Sequence, residues 1–457
     1  MKTSAFTPAR LLRWLLLSSA LGIFAGLAAV VYQYLVEKAV VLFQVNLMGV
    51  GPESPVYHET GSWLGAVSSP NLLMVALLPA TGGLLVGILL WLRPMLLRSD
   101  ADDDEIKSFL ENNGDYPFAR PIYNLFLSVI TLGTGGSGGK EAPAGSAGAA
   151  IGSLMGRVLK VDVRTRRVLL AAGVAAGIGA IFRIPVAAAF FAAEFYYSDV
   201  ELEAGVLLPA GIASAVAYFI FAQFYGFSPL LDRATGIAFG SVWELVPFLI
   251  LSVLSCPAAY LFVSIFKTSS RWFHGLRIPA VIKPMAGGLG VGLTCLAAYL
   301  VSRDQAALSI VGDGFGILHR VVSGEATTCA LLLLAVAILK MISTSLTLGS
   351  GGVAGLFSPS LVIGGIMGGA FGLLANACTP SIAPHPQAFV LIGMTAFFSS
   401  AFKAPVCAVF VASELAGDYS LLLPSMIASA VSFMLGGSWS LISGQLPSKS
   451  IVSPDKA

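Results

Sequence analysis

Two blocks of this chain recur, and both fall on segments broken by glycine and proline. Thr131-Leu-Gly-Thr-Gly-Gly-Ser-Gly-Gly-Lys-Glu-Ala-Pro143 aligns without gaps on Thr347-Leu-Gly-Ser-Gly-Gly-Val-Ala-Gly-Leu-Phe-Ser-Pro359, an offset of 216 (347 − 131). Phe182-Arg-Ile-Pro-Val-Ala-Ala-Ala-Phe-Phe-Ala-Ala-Glu194 aligns on Phe402-Lys-Ala-Pro-Val-Cys-Ala-Val-Phe-Val-Ala-Ser-Glu414, an offset of 220 (402 − 182). The order of the blocks is kept, so the chain reads as two homologous halves, about 10–225 and about 240–448, meeting near residue 230. Short segments interrupted at equivalent places in two halves are the best sequence pointer to a transport site in a membrane protein.

Composition places these halves in a bilayer. Of 457 residues, 56% are hydrophobic and only 11% are charged. A soluble surface of this size needs far more charge, with ~25% the usual share. An ordinary soluble enzyme, a disordered chain and a basic nucleic-acid binder are thereby excluded. Apolar stretches recur at about 11–36, 71–92, 120–133, 147–159, 168–182, 204–223, 243–266, 285–302, 327–346, 360–376, 387–398 and 419–436. Some reach the ~20 residues that cross a ~30 Å hydrocarbon core and others do not. The segments Pro185–Glu194 and Pro405–Glu414 are among the short ones, and short segments must be buried in protein or line a cavity. We expect an all-α polytopic protein, one transmembrane domain over 1–457, with tilted and broken helices rather than a simple bundle.

Charge placement gives an orientation. Lys2, Arg10 and Arg13 precede the first span, and basic clusters follow at Lys160, Arg164, Arg166, Arg167 and at Lys267, Arg271, Arg277, Lys283, while 49–70 has no Lys or Arg. The positive-inside bias is expected to place the N-terminus and these clusters in the cytoplasm and 49–70 outside, and the C-terminus is expected in the cytoplasm as well. The apolar run after Arg13 is long enough to be an uncleaved first helix rather than a signal peptide. Five scattered cysteines (Cys256, Cys295, Cys329, Cys378, Cys407) show no metal-ligand spacing and no disulfide framework. No metal or cofactor is expected.

The first glycine-rich loop satisfies three motifs at once. Gly133-Thr-Gly-Gly-Ser-Gly138 fits a dinucleotide fingerprint, but a membrane segment precedes it instead of a strand. Gly139-Lys140 approaches a phosphate loop, yet Thr134 replaces its first glycine and Glu141 would repel phosphate. Ser137 lies in a G-x-S-x-G elbow and defines the alternative from another class, a rhomboid-like intramembrane serine hydrolase. That chemistry needs a histidine base, and His58, His274, His319 and His385 all fall outside the apolar spans. The repeat argues against all three, because Ser137 becomes Val353 and Lys140 becomes Leu356 while the glycines persist. What the halves share is a glycine turn opening a helix, which leaves N–H groups unpaired at the positive end of the helix dipole and makes an anion site.

With those residues in place, the chain resembles the CLC family of chloride channels and proton/chloride exchangers. Gly139-Lys-Glu-Ala-Pro143 is similar to the family's G-[KR]-E-x-P element and Gly355-Leu-Phe-Ser-Pro359 to its G-x-F-x-P element. Phe182…Pro185…Glu194 resembles its Pro-started half-helix, and Ser440-Leu-Ile-Ser-Gly-Gln-Leu-Pro447 its last pore helix. The likeness covers about 10–448. It implies two inverted halves, a homodimer with a pore in each subunit, a bacterial inner membrane, and no cytoplasmic nucleotide-sensing domain. Glu141 takes the place of the gating glutamate: a carboxylate at a helix start competes with the anion for the same N–H groups, and protonation releases it. Backbone amides of Gly139, Lys140, Ala142, Gly355, Leu356 and Phe357 would hold the anion.

The departures from the family pattern matter as much. Ala101 falls at the pore serine, within the acidic stretch Asp100-Ala-Asp-Asp-Asp-Glu105, and Ile442 at the pore tyrosine. The central site would then lack hydroxyl donors and favour weakly hydrated anions. Phe195 replaces the inner proton-relay glutamate, and the Asp102–Asp104 run is a candidate acceptor in its stead. Glu194 has a partner in Glu414, and equivalent residues in both halves point to a structural role. From these departures passive, channel-like or weakly coupled passage of chloride is expected over strict exchange, with a proton/chloride antiporter as the alternative.

Overall fold

The computed structural model describes residues 8–51, 70–97, 104–231, 239–323, 329–383 and 385–448. Its regular elements are helices. In the first half they are α1 (Pro8–Val40, continued by a wider turn over Val41–Met48), α2 (Leu72–Leu96), α3 (Glu105–Leu110), α4 (Ala119–Gly133), α5 (Glu141–Val158), α6 (Val163–Phe182), α7 (Pro185–Glu194) and α8 (Ala204–Tyr225). The second half has α9 (Leu245–Gly275), α10 (Ile282–Ser302), α11 (Phe315–Val322), α12 (Ala330–Gly349), α13 (Phe357–Cys378), α14 (Ala388–Phe402), α15 (Pro405–Ala416) and α16 (Leu422–Leu435). Among the described residues, eight segments are long and apolar enough to cross a membrane, and α7, α14, α15 and α16 are shorter apolar helices.

Local chemistry sets several ends. Asn71 Oδ1 accepts from Met74 N at the start of α2, and Asp162 Oδ2 from Thr165 N at the start of α6. Pro185 and Pro405 open α7 and α15, where a missing N–H costs nothing. The expected stretch at 147–159 starts six residues early, at Glu141, because Glu141, Pro143 and Ser146 interrupt the apolar run yet are tolerated in the first turns of a helix. The stretch at 243–266 runs on to Gly275 because a polar tail continues the same helix.

Packing follows the repeat. α5 lies on α6 and α13 on α14; α1 covers α8 and α9 covers α16; α2 meets α10, and α7 meets α15. The first two pairs meet backbone to backbone: a Cβ at Gly148 would strike the Gly173 carbonyl, and one at Gly364 the Gly393 carbonyl. Arg183 and Lys403 end α6 and α14 in the left-handed region, at φ 59° and 58°. Each turns its cation onto carbonyls past a neighbouring helix end, Arg183 onto Tyr225 and Ser228, Lys403 onto Gly436 at 2.9 Å. Large apolar side chains such as Leu16, Phe24 and Val31 stay on the outside, as a lipid-facing surface requires.

Glu194 and Glu414 form a reciprocal clamp. The Glu194 carboxyl accepts from Val406 N at 3.1 Å and Cys407 N at 3.0 Å, at the start of α15. The Glu414 carboxyl accepts from Val186 N at 3.0 Å and Ala187 N at 2.8 Å, at the start of α7. Each half-helix ends in the residue that caps the other, which is the structural work expected of this pair. Glu194→Gln removes one acceptor oxygen and turns an NH2 toward a buried donor. We expect it to cost about 2 kcal/mol, read as a lower melting temperature in detergent.

The segment Ser440–Pro447 departs from its likeness to a helix. Its backbone turns instead, with Gly444 at φ 83°. Long-range bonds use its amides, Leu441 N to Ala401 O at 2.9 Å and Leu446 N to Tyr196 O at 3.0 Å. Gln445 Nε2 ties together the carbonyls of Phe195, Tyr197 and Phe402 at 3.1–3.2 Å.

Candidate anion and proton site

The two glycine-rich loops clasp each other. Gly139 N donates to Gly355 O at 2.9 Å and Gly355 N to Gly139 O at 2.8 Å. Ser137 N donates to Thr347 Oγ1 at 3.0 Å, and its repeat equivalent Val353 N donates to Thr131 Oγ1 at 3.3 Å. Gly135 and Gly351, also equivalent, make the turns at φ 95° and 107°, where a side chain would be strained. The helix starts at Glu141 and Phe357 are thereby held face to face.

This clasp corrects one expectation. An amide carries one hydrogen, and those of Gly139 and Gly355 are bonded to each other rather than offered to an anion. The glycines serve the site through what they lack. A Cβ at either position would overlap the Glu141 carboxyl, which lies against both.

Glu141 is 2% exposed. Its carboxyl accepts from Phe357 N at 2.7 Å and from Ser358 Oγ at 3.2 Å, at the start of α13. A side chain from one half thus fills the helix start of the other. Ser358 was invisible as a site residue in the sequence; the only available signal was its place in the first turn beside Phe357.

A cavity of about 570 Å³ reaches this carboxyl, with Glu105, Ala142, Ser146, Leu356, Phe357 and Ile442 among its walls. Ser443 also lines it. Ser146 and Ser443 bring hydroxyls to this wall, and Ser358 bonds Glu141 beside it, while Ile442 stands at the pore-tyrosine position as expected from the sequence. Phe195 lines the cavity too, stacked on Phe191 at 5.1 Å, and Phe357 meets Phe398 edge to face at 4.6 Å. The wall near Glu141 is therefore largely aromatic. Ala101, Asp102 and Asp103 lie outside the described residues, as does His58. Asp104 accepts from Ile106 N and Lys107 N as the cap of α3.

A second, narrow cavity of about 80 Å³ is lined by Gln44, Lys140, Gly312 and Asp313. Lys140 is 6% exposed and pairs with Asp313 at 3.6 Å. The 138–141 segment thus presents Lys140 to the narrow cavity and Glu141 to the wide one.

Ser137 is fully buried, and its hydroxyl shares a hydrogen with Thr344 Oγ1 at 2.9 Å. His274 instead bonds Ser270 on its own helix. The elbow motif is a structural turn, so Ser137→Ala should leave anion flux within about twofold of wild type in liposome efflux; a transport defect above tenfold would contradict that role.

A bilayer-spanning pair of repeats with a buried carboxyl on the facing helix start defines an anion transport protein. Residues 82–437 match the family model described as voltage gated chloride channel, and the chain belongs to that family. It is 28% identical over 364 residues to the putative chloride channel protein ClcB-like of Ralstonia nicotianae, spanning 78% of this chain and 81% of that one. It is 28% identical over 348 residues to the H(+)/Cl(-) exchange transporter ClcA of Vibrio campbellii, spanning 73% and 71%. Among solved structures, a slow cyanobacterial Cl−/H+ antiporter superposes with a TM-score of 0.73 over 93% of this chain and 94% of that one, at 19% identity, a likeness of fold. The protein is a multi-pass membrane protein and not an enzyme.

Proposed function

We propose that this protein exchanges chloride for protons, with Glu141 as the group that both closes the anion path and carries the proton. The observation that carries the reading is the seat of the Glu141 carboxyl, on Phe357 N and Ser358 Oγ, where a permeating anion would take the same donors. Ionised, it excludes the anion; protonated, it loses its attraction to the helix start and yields the place. The amides of Lys140, Ala142 and Leu356, at the same two helix starts, together with that of Phe357, then hold the anion. No fixed cation faces the site from the loop, since Lys140 points to the other cavity, so the anion can also leave.

Exchange replaces the passive passage expected from the sequence. The Vibrio relative and the cyanobacterial structure are both named for coupled chloride and proton movement. The reading carries with it a homodimer with a pore in each subunit, and cytoplasmic termini in an inner membrane, as the resemblance and the basic clusters imply.

The test is a reversal potential, or efflux from liposomes, under crossed chloride and proton gradients. We expect a reversal potential displaced by the pH gradient. One that follows chloride alone would overturn exchange in favour of a channel.

A further inference from the structure

The exchange reading requires a proton to reach Glu141 from the wide cavity, and the usual inner carboxylate position holds Phe195. Among the described residues, three carboxyls line that cavity: Asp104, Glu105 and Glu141. Asp104 is committed to the first amides of α3. Glu105 is half-buried on the cavity wall, and its Oε1 accepts from Tyr116 OH at 3.1 Å and from Ser146 Oγ. Ser146 lies on α5, the helix that begins with Glu141, and lines the same cavity.

A second observation lies behind Glu105. Tyr196 is fully buried, stacks on Phe109 of α3 at 4.0 Å and meets Phe195 at a tilt, 4.2 Å between ring centroids. Its hydroxyl has no hydrogen-bond partner among the described residues. Leaving a buried hydroxyl unpaired is costly, and such groups call for an explanation. Burial first, and then the neighbouring Glu105, Glu203 and Tyr197, push the phenol up and keep it protonated. The next residue, Tyr197, donates to Glu203 Oε1 at 2.6 Å. The orphan Tyr196 hydroxyl thus lies within electrostatic reach of Glu105 on the cavity wall and of Tyr197 and Glu203 on the other side. Burial also pushes the Glu105 carboxyl up from its ordinary value, against the opposing bonds from Ser146 and Tyr116.

We propose that Glu105 is the proton acceptor on the wide-cavity side of the exchange cycle, fed along Glu203, Tyr197 and Tyr196, and that it passes the proton to Glu141 through cavity water beside Ser146. The step is a proton transfer with no other bond change. An O–H bond forms on the Glu105 carboxylate as a proton arrives from bulk water. That bond breaks as a hydrogen-bonded water hands a proton to the Glu141 carboxylate and takes the one from Glu105. A chloride moving the other way carries charge in the same electrical sense, so the cycle is electrogenic and the proton is conserved along the route.

The proposal rests on the exchange reading, and one experiment separates the two. Wild type, Glu105→Gln and Tyr196→Phe are reconstituted in liposomes, and chloride and proton fluxes are recorded on the same vesicles. Glu105→Gln is expected to lower protons carried per chloride at least tenfold while chloride flux stays within a few-fold. Tyr196→Phe keeps both ring contacts and is expected to lower proton flux several-fold with chloride flux unchanged. Wild type that moves no protons overturns both readings. Wild-type exchange that survives Glu105→Gln overturns this proposal alone. Should Glu105→Gln lose chloride flux as well, Tyr196→Phe decides, and an unaltered proton flux in it overturns the route.

Discussion

Glu141→Gln is expected to abolish proton movement and to leave a chloride flux that no longer depends on pH. The carboxamide has the shape of the protonated acid and cannot ionise, so it fixes the side chain in its yielding form. Removal of a positioned proton carrier lowers transfer on the order of 100-fold or more, which here means proton flux at the background of the assay. Chloride flux should survive, because the Phe357 amide that the carboxylate occupied at 2.7 Å becomes available to the anion. In wild type, flux should rise as pH falls, since protonation neutralises the group that blocks the site; in the variant that slope should vanish. The measurement is liposome chloride efflux across a pH series with proton uptake recorded alongside. A variant that keeps the wild-type slope would remove Glu141 from the mechanism.

Gly355→Ala is expected to unseat the same carboxylate without altering its chemistry. A Cβ at this position would overlap the Glu141 carboxyl and stand 3.0 Å from Ala142 N. The carboxylate would lose its bonds to Phe357 N and Ser358 Oγ. Hydrogen bonds to charged groups contribute about 1.5–3 kcal/mol each, so losing one shifts the closed-to-open ratio roughly ten- to a hundredfold. The shift should appear at alkaline pH, where the ionised carboxylate normally closes the path, as a rise in chloride flux. Proton flux should fall in the same vesicles, because a displaced carboxyl no longer alternates with the anion. Unchanged alkaline flux, in a protein whose melting temperature is also unchanged, would show that the carboxyl does not hold the path at this place. The two variants separate charge from position: one removes ionisation, the other removes the seat.

Much of this site was legible in advance because it is local. Gly139–Pro143 and Gly355–Pro359 each encode a turn and a helix start within a few residues, and the structure begins α5 at Glu141 and α13 at Phe357. The pairing of Glu194 with Glu414 was visible as a repeat position, although not the crossing by which each caps the other's helix. The errors are all matters of partner. The Gly139 and Gly355 amides looked available because their acceptors lie 216 residues away (355 − 139). Ser358 and Ser443 hold unassigned places within the quoted elements and Ser146 lies outside them, and only folding placed them along the Glu141 cavity. Ser440–Pro447 resembled a helix, but Gly444 and long-range bonds to Ala401 and Tyr196 hold it as a turn.

By itself the sequence determined that this chain enters a bilayer, that it is built twice, and which residues open the broken helices. Those properties follow from hydropathy, from the fixed geometry of proline and glycine, and from a repeat that needs no folding to be seen. Only the tertiary structure decided which of the amides at those openings are free, that Glu141 sits on the other half's helix, and that Lys140 faces away. A hydrogen bond has one donor hydrogen and a reach of about 3 Å. Which groups meet within that reach depends on how two halves dock, and no local pattern records it.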